Sequence, residues 1–132
     1  MERTCVLIKP DGVARGLCGE IIARFERRGL RVVKAKTLMM SERLIREHYR
    51  HLEGEPFFPE ILDYMASGPV LAIVLEAHNA VEACRKVIGA TDPVAAAPGT
   101  IRGDLATSIR YNLVHASDSR ESAEAEAARF FA

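Results

Sequence analysis

The sequence predicts an α/β fold of the α+β kind, a ferredoxin-like split βαβ sandwich. In this arrangement an antiparallel four-stranded sheet is covered by helices and carries an inserted helical pair. Two βαβ units follow one another along the chain, and helical periodicity after the first unit indicates the inserted pair. The 132 residues are 48% hydrophobic, which is enough for one core without disulfides. We therefore expect a single domain over residues 1–132.

The first unit is a β-α-β segment. Residues Thr4 to Lys9 form an apolar run that a proline ends, which is typical of a central strand. Apolar residues recur every fourth position from Leu17 to Phe25, ahead of Gly29, and this spacing predicts a helix. Alternation from Arg31 to Met40 predicts a strand with one solvated face.

The inserted pair and the second unit come next. Ser41 is a predicted N-cap for a helix with Leu44, His48 and Leu52 at helical spacing. Apolar residues from Phe58 to Met65 indicate a second short helix. Residues 70–75 read as another central strand. Asn79 and Glu82 resemble a capping box at the start of a helix that ends at Gly89.

The last third of the chain is predicted to hold a functional loop. Residues 90–109 show no periodicity and contain several prolines and glycines, and loops of this length in compact domains are usually functional or disordered. A short strand from Tyr111 to His115 follows. The final helix is capped by Asp118 or Ser119, and its inner side carries Ala123, Ala127 and Phe130.

Charge and cysteine content exclude several classes of partner. Eighteen basic residues balance eighteen acidic ones, so we expect no specific nucleic-acid partner. No apolar stretch approaches the ~20 residues that a bilayer requires, so we expect no membrane partner. Cys5, Cys18 and Cys84 are scattered, which argues against a disulfide framework and a zinc site. These features predict a cytoplasmic protein.

His115 is the first candidate for chemistry. It lies between a short apolar run and a cluster of hydroxyl and acidic residues, where a rigid strand end meets solvent. A neutral imidazole there can act as a nucleophile if a neighbour fixes its tautomer. Glu126 falls on the inner side of the final helix and is a suitable neighbour, because a buried carboxylate needs a partner. The alternative is a histidine that closes a strand on a backbone carbonyl.

Polar residues at the ends of elements and in the long loop form a second group of candidates. They are Lys9, Tyr49, Arg85, Thr91, Arg102, Asn112 and His115. Arginine suits phosphate because its planar fork pairs with two oxygens, and the glycine-rich phosphate loop of many nucleotide enzymes is absent. The alternative is that Arg85 and Arg102 are surface cations, that Lys9 is an ordinary strand end, and that Phe57 is core.

Four motifs in order resemble the nucleoside diphosphate kinase family almost from end to end. They are Thr4-Cys-Val-Leu-Ile-Lys-Pro-Asp-Gly12, Pro56-Phe-Phe-Pro59, Pro98-Gly-Thr-Ile-Arg-Gly-Asp104 and Asn112-Leu-Val-His-Ala-Ser-Asp-Ser119. The resemblance implies exchange of the terminal phosphate between nucleoside triphosphates such as ATP and nucleoside diphosphates. It also implies a ping-pong cycle in which Nδ1 of His115 is phosphorylated while the other ring nitrogen faces Glu126.

The same resemblance implies roles for the remaining candidates. Arg85, Thr91 and Arg102 would hold the phosphates, and Lys9 and Asn112 would reach the sugar hydroxyls and the transferring phosphate. Tyr49 would line the site, while Phe57 and Ile109 would stack on the two faces of the base. Magnesium would arrive with the nucleotide phosphates, with no direct protein ligand. The family further implies a homo-oligomer, with a hexamer favoured over a tetramer.

Two positions depart from the family pattern. Ala116 stands where glycine is usual, and a positive φ there would cost on the order of 1–2 kcal/mol and reduce stability or rate. His51 stands where an acidic residue is common. Because of these departures, one alternative is that the chain is a nucleotide-binding module of the same fold without transferase activity. A structural or regulatory domain that works through protein contacts is a further alternative.

Overall fold

A computed structural model of the chain describes residues 1–132 and contains one four-stranded sheet. Strands β1 to β4 span Glu2–Ile8, Arg31–Leu38, Val70–Ala77 and Val114–Ala116. Their order across the sheet is β2-β3-β1-β4, and all neighbours are antiparallel. Because β3 lies between β1 and β2, those two strands run parallel, and this is the predicted split βαβ arrangement.

Seven α-helices and one short 3₁₀ helix connect and cover the strands. Helices α1 to α7 span Pro10–Ala14, Cys18–Arg27, Glu42–His48, Phe58–Met65, Ala80–Ile88, Ile101–Leu105 and Arg120–Phe131, and the 3₁₀ helix spans Arg50–Leu52. Helices α3 and α4 are the predicted inserted pair. Helices α1 and α6 were not predicted, because five residues are too few for a periodic pattern to emerge. No helix has the length and apolar character needed to cross a membrane.

Helices cover both faces of the sheet, and β1 lies at its centre. Val6 and Ile8 are fully buried among residues of α2 and α5. Cys5 and Leu7 point the other way and are buried among residues of α3, α4 and α7. Alternate side chains of a strand face opposite sides of a sheet, so burial on both sides explains the continuous apolar run of β1.

Local capping matches the prediction for two helices and differs for a third. Ser41 Oγ accepts a hydrogen bond from the Leu44 amide at 3.1 Å, as its position before α3 predicts. The predicted capping box at α5 is wrong, because the Asn79 side chain makes no cap and its φ is 50°. Glu2 Oε1 instead accepts a hydrogen bond from the Val81 amide at 2.9 Å. A strand residue distant in sequence therefore replaces the local cap.

The final helix, α7, is capped by Ser119. Its Oγ accepts a hydrogen bond from the Ser122 amide at 3.0 Å, so Ser119 rather than Asp118 is the cap. Ala123 and Phe130 are buried on the inner side of α7, as predicted, whereas Ala127 is only partly buried.

Strand β4 begins three residues later than predicted. Leu113 has a φ of 75°, a left-handed conformation that interrupts an extended strand. Its amide donates to Asp11 Oδ2 at 3.2 Å, and its carbonyl accepts from the Lys9 amide at 2.8 Å. Gly12 permits this approach, because a Cβ there would lie 3.2 Å from the Leu113 carbonyl oxygen and 2.8 Å from Ile8 Cγ2. The start of α1 thus fixes the segment that precedes His115.

The loop from residue 90 to 109 is ordered by short-range hydrogen bonds and contains α6. Thr100 Oγ1 accepts from the Gly103 amide at 3.0 Å and caps this helix. Asp104 accepts from the Gly99 amide at 2.9 Å and pairs with Arg24 of α2 at 2.7 Å. The prediction of irregular structure is therefore wrong for residues 101–105.

The Gly103→Ala substitution is expected to destabilise the protein by about 1–3 kcal/mol, because the added Cβ would overlap the backbone carbonyl of Ala97. Gly19→Ala is the matched control in α2, where a Cβ meets nothing within 4 Å. That variant is expected to gain roughly 0.5–1 kcal/mol. Urea unfolding measures both, and equal midpoints for the two variants would contradict this account of the loop.

Candidate active site

His115 occupies the middle of β4 and contacts a carboxylate of α7. Its Nε2 lies 3.0 Å from Glu126 Oε1, and its side chain is 27% exposed. Ser117 Oγ donates to the same Glu126 oxygen at 2.7 Å. Since a carboxylate accepts, the imidazole proton lies on Nε2 and Nδ1 carries the lone pair. The partner is the predicted carboxylate and not a backbone carbonyl.

Glu126 remains ionised in this position. Burial by itself raises the pKa of this carboxyl, but the hydrogen bonds from His115 and Ser117 outweigh burial and lower it. An anionic Glu126 stabilises positive charge on the His115 ring. The pair thus holds the tautomer and the orientation that a nucleophilic imidazole requires.

A cleft of about 1270 Å³ opens beside His115 and collects most of the predicted residues. The predicted residues that line it are Lys9, Tyr49, Arg85, Thr91, Arg102, Asn112, His115 and Glu126. They come from segments spread from the end of β1 to α7. The fold therefore brings together eight of the ten candidates.

Lys9, Asn112 and Thr91 form a hydrogen-bonded chain along one wall of the cleft. Lys9 Nζ donates to Asn112 Oδ1 at 2.9 Å, and Asn112 Nδ2 donates to the Thr91 carbonyl at 3.0 Å. Burial lowers the pKa of Lys9 to about 8, and the positive charge of Arg102 acts in the same direction. Lys9 is still predominantly a cation near neutral pH, and it is held in place.

The two arginines of the cleft differ in their surroundings. Arg102 is buried and donates to the carbonyls of Asn112, Gly89 and Val114 at 3.2, 3.2 and 2.6 Å. Arg85 is exposed and makes no hydrogen bond or ion pair. Burial lowers the pKa of Arg102 to about 10, with the charge of Arg85 adding to the effect. Arg102 thus organises the cleft and retains two further donors, whereas Arg85 is free to bind an anion.

Tyr49 ends α3 beside the cleft and is half-buried. Burial raises the pKa of its hydroxyl group, and the negative charge of Glu126 adds to this effect. Tyr49 is therefore a neutral hydrogen-bonding group at working pH.

Phe57 and Ile109 do not line this cleft. Their side chains are 36% and 55% exposed. The guanidinium of Arg110 lies 5.9 Å from the centroid of the Phe57 ring, and Arg110 also pairs with Glu60. The Phe57 ring is therefore in cation–π contact with Arg110 and lies outside the cleft.

Three residues of the site were missed from the sequence. His48 was assigned to the apolar stripe of α3 by its helical spacing, yet its ring centroid lies 4.6 Å from that of His115. Ser117 could have been found, since it lies two residues after His115 on the same side of an extended segment. Arg129 follows Glu126 by three residues on α7 and contacts His48, so helical spacing also gave a signal for it.

The two departures from the family pattern differ in their structural setting. Ala116 pairs with Val6 in β4 and does not have a positive φ, so the anticipated steric cost does not arise. The expected loss of stability or rate at Ala116 therefore has no structural basis. His51 is exposed in the 3₁₀ helix and lines the cleft. The hypothesis of a binding module without transfer thus loses its support from Ala116.

The cluster of two imidazoles and one carboxylate in the cleft does not fit magnesium. One nitrogen each of His48 and His115 and an oxygen of Glu126 lie within 4.8 Å of one another. Glu126 already accepts two hydrogen bonds, and Arg129 donates to Nδ1 of His48 at 2.9 Å. Magnesium prefers oxygen ligands in an octahedral arrangement, so this set does not fit it.

The fold and the cleft together define a class of α+β domain in which a carboxylate-bound histidine lies beside a cation-lined cleft that suits an anionic ligand. A family model described as nucleoside diphosphate kinase matches residues 2–132. The chain belongs to the nucleoside diphosphate kinase family, and it is a phosphotransferase of nucleotide metabolism.

Individual relatives agree with this assignment. The chain is 53% identical to the nucleoside diphosphate kinase of Symbiobacterium thermophilum over 131 residues, which cover 99% of this chain and 87% of the relative. It is 51% identical to that of Archaeoglobus fulgidus over 131 residues, with the same coverage of 99% and 87%.

Solved structures share the fold. The nucleoside diphosphate kinase of Encephalitozoon cuniculi superposes with a TM-score of 0.95 at 45% identity, covering 98% of this chain and 88% of that chain. A nucleoside diphosphate kinase family protein from Babesia bovis gives a TM-score of 0.95 at 43% identity, covering 99% and 88%. These similarities confirm the predicted fold class and activity.

The different surroundings of the two arginines predict different mutant behaviour. Arg102→Lys is expected to cost on the order of 2–4 kcal/mol, because lysine cannot satisfy the three carbonyls that Arg102 binds. Arg85→Ala is expected to change stability by less than about 0.5 kcal/mol and to raise KM for the nucleotide. Urea unfolding and initial-rate kinetics separate the two effects. Equal destabilisation of both variants would contradict the assignment of Arg102 as a structural residue and of Arg85 as a free one.

Proposed function

We propose that Nδ1 of His115 accepts the terminal phosphoryl group of a nucleoside triphosphate and then delivers it to a nucleoside diphosphate. In the first half-reaction the lone pair of Nδ1 forms a bond to phosphorus, while the bond to the bridging oxygen breaks and the nucleoside diphosphate leaves with that electron pair. The second half-reaction reverses these steps with another diphosphate. The observation that carries the proposal is the Glu126 contact with Nε2, because it leaves Nδ1 as the free nitrogen.

Glu126 is the orienting residue in this proposal. Bond formation at Nδ1 places positive charge on the ring, and a carboxylate 3.0 Å from Nε2 stabilises that charge without moving. Ser117 supports the carboxylate through its own hydrogen bond. The arrangement supports a single nitrogen as the phosphate acceptor.

The cations of the cleft are proposed to bind the phosphates. Repulsion between phosphate oxygens and a nucleophile must be offset, and Arg85, Arg102 and Lys9 supply positive charge on the cleft wall. Thr91 and Asn112 add polar groups, with Asn112 and Lys9 reaching the sugar hydroxyls and the transferring phosphate. Tyr49 lines the site beside His115 as a neutral donor.

We propose that Phe57 and Ile109 contact the two faces of the base. Both are large apolar side chains exposed to solvent, which supports a role in binding something outside the protein. Stacking tolerates every base because each has a π face, so this mode would accept nucleotides with different bases.

Magnesium is proposed to enter as part of the nucleotide substrate. The cleft is rich in cations, and Glu126 is already engaged, so the metal would be held by the phosphates and by water. In that position it would neutralise phosphate charge.

We also propose an oligomeric state, a cellular location and a domain organisation. The family resemblance supports a homo-oligomer, with a hexamer favoured over a tetramer. Three unpaired cysteines support a reducing compartment such as the cytoplasm. One sheet with a core on each face supports a single domain over residues 1–132.

The test of the proposed function is incubation with γ-labelled ATP. The wild-type chain is expected to acquire acid-labile, alkali-stable label, since phosphohistidine has that stability, and to pass it to GDP. His115→Ala is expected to acquire none. His78→Ala is the matched control, since His78 is exposed and does not line the cleft, and it should be labelled normally. Undiminished labelling of His115→Ala would overturn the proposal.

A further inference from the structure

The last turn of α7 contributes a cation that the proposed reaction does not use. Arg129 Nη1 lies 2.9 Å from His48 Nδ1, and its side chain is 18% exposed. A guanidinium has only N–H donors and keeps its charge in proteins, so Nδ1 of His48 must supply the lone pair. His48 is therefore neutral, with its proton on Nε2.

His48 is packed directly against the proposed nucleophile. It is 7% exposed, and its ring is almost perpendicular to that of His115 with the centroids 4.6 Å apart. Tyr49 and Phe130 enclose it, and its Nε2 has no hydrogen-bond partner in the protein. His48 is thus a buried imidazole beside the reacting one.

Two imidazoles consequently stand near one carboxylate. A nitrogen of His48, a nitrogen of His115 and an oxygen of Glu126 lie within 4.8 Å of one another. A protonated His48 would attract Glu126 and weaken its hold on His115. Correct orientation of His115 therefore requires that His48 stay uncharged.

Burial disfavours that protonation, and Arg129 adds to the effect. A proton on His48 would have to bind at Nδ1, which is the atom that accepts from Arg129. Its arrival would break this hydrogen bond and place two cations in contact, which is unfavourable in a buried setting. No comparable obstacle faces His115, whose Nδ1 is free.

We propose that Arg129 is a positioning residue that holds His48 in the neutral Nε2–H form and thereby reserves Glu126 for His115. Arg129 does not touch the reacting atoms and acts through His48. The predicted effect on catalysis depends on the proposed function of His115. The predicted tautomer of His48 does not depend on it.

The other charges around His48 define how its titration should respond. The charged and titratable groups that face it are His115 from β4, Glu126 and Arg129 from α7, Lys9 at the end of β1, and Tyr49 beside it. Glu47, the preceding residue of α3, pairs with Arg129 at 3.5 Å. Burial lowers the pKa of His48 to about 3, the charges of His115, Arg129 and Lys9 act in the same direction, and Glu126 opposes them. Removing the Arg129 charge therefore raises this pKa, so His48 protonates at a higher pH.

The first test is proton–nitrogen correlation NMR on histidine-labelled protein. Wild-type His48 is expected to show a protonated Nε2 and a bare Nδ1 from neutral to mildly acid pH. Arg129→Met removes the donor and the charge at similar length and is expected to lose this fixed tautomer. Arg129→Lys retains a charged donor and is expected to restore it. Arg28→Met is the control, because it makes the same change at an exposed arginine directly after α2 that contacts no site residue.

The second test is the pH profile of His48 protonation in the same spectra. In Arg129→Met the midpoint is expected to shift to higher pH than in the wild type, because a nearby positive charge has been removed. Arg28→Met should follow the wild type throughout. A purely structural role for Arg129 would leave this midpoint unchanged.

Several outcomes would overturn the proposal. One is a wild-type His48 with its proton on Nδ1, and another is an Arg129→Met protein that keeps both the wild-type tautomer and the wild-type pH profile. If Arg129→Met fails to fold, the tautomer of His48 in the wild-type protein and in Arg129→Lys still tests the proposal. If the wild-type chain transfers no phosphate, the proposed function fails, and the NMR result alone decides this inference.

Discussion

A buried carboxylate on the inner face of α7 is the constraint around which this molecule is arranged. Glu126 is 8% exposed, and a carboxylate at that depth must receive hydrogen bonds. It receives them from His115 Nε2 and Ser117 Oγ, at β4 and directly after it. The bond that satisfies this carboxylate also orients the imidazole, so the stability of the α7–β4 packing and the chemistry proposed at His115 depend on one interaction.

A second set of contacts connects the segment before His115 to the residues that follow β1. Leu113 adopts a strained backbone conformation, and it is held there by the Asp11 carboxylate and the Lys9 amide. The same turn sets Asn112 beside Lys9, at 2.9 Å between the side chains. Because Gly12 permits close approach, the residues after β1 and the residues before β4 form one wall of the cleft. Strain at Leu113 is thus stored next to the site.

Contacts set by local helical spacing could be predicted from the sequence, whereas contacts between residues distant in sequence could not. The pairing of Glu126 with His115 was predictable, because helical spacing set a carboxylate on an otherwise apolar face. The cap of α5 was not, since Glu2 reaches it from a strand far away in sequence. Residue type alone suggested phosphate binding for Arg102, and its bonds to three carbonyls depend on how the loop folds. His48 has the spacing of a core residue, and only tertiary packing reveals its neighbours.

The most direct test of the central claim is to determine which ring nitrogen carries phosphorus in the phosphorylated enzyme. Phosphorus–nitrogen correlation NMR on protein with labelled histidine makes this distinction under alkaline, denaturing conditions in which the adduct survives. If Glu126 holds Nε2, the phosphorus must be attached to Nδ1 of His115. Attachment to Nε2 would mean that the carboxylate does not orient the ring during transfer, and the account given for this site would be wrong.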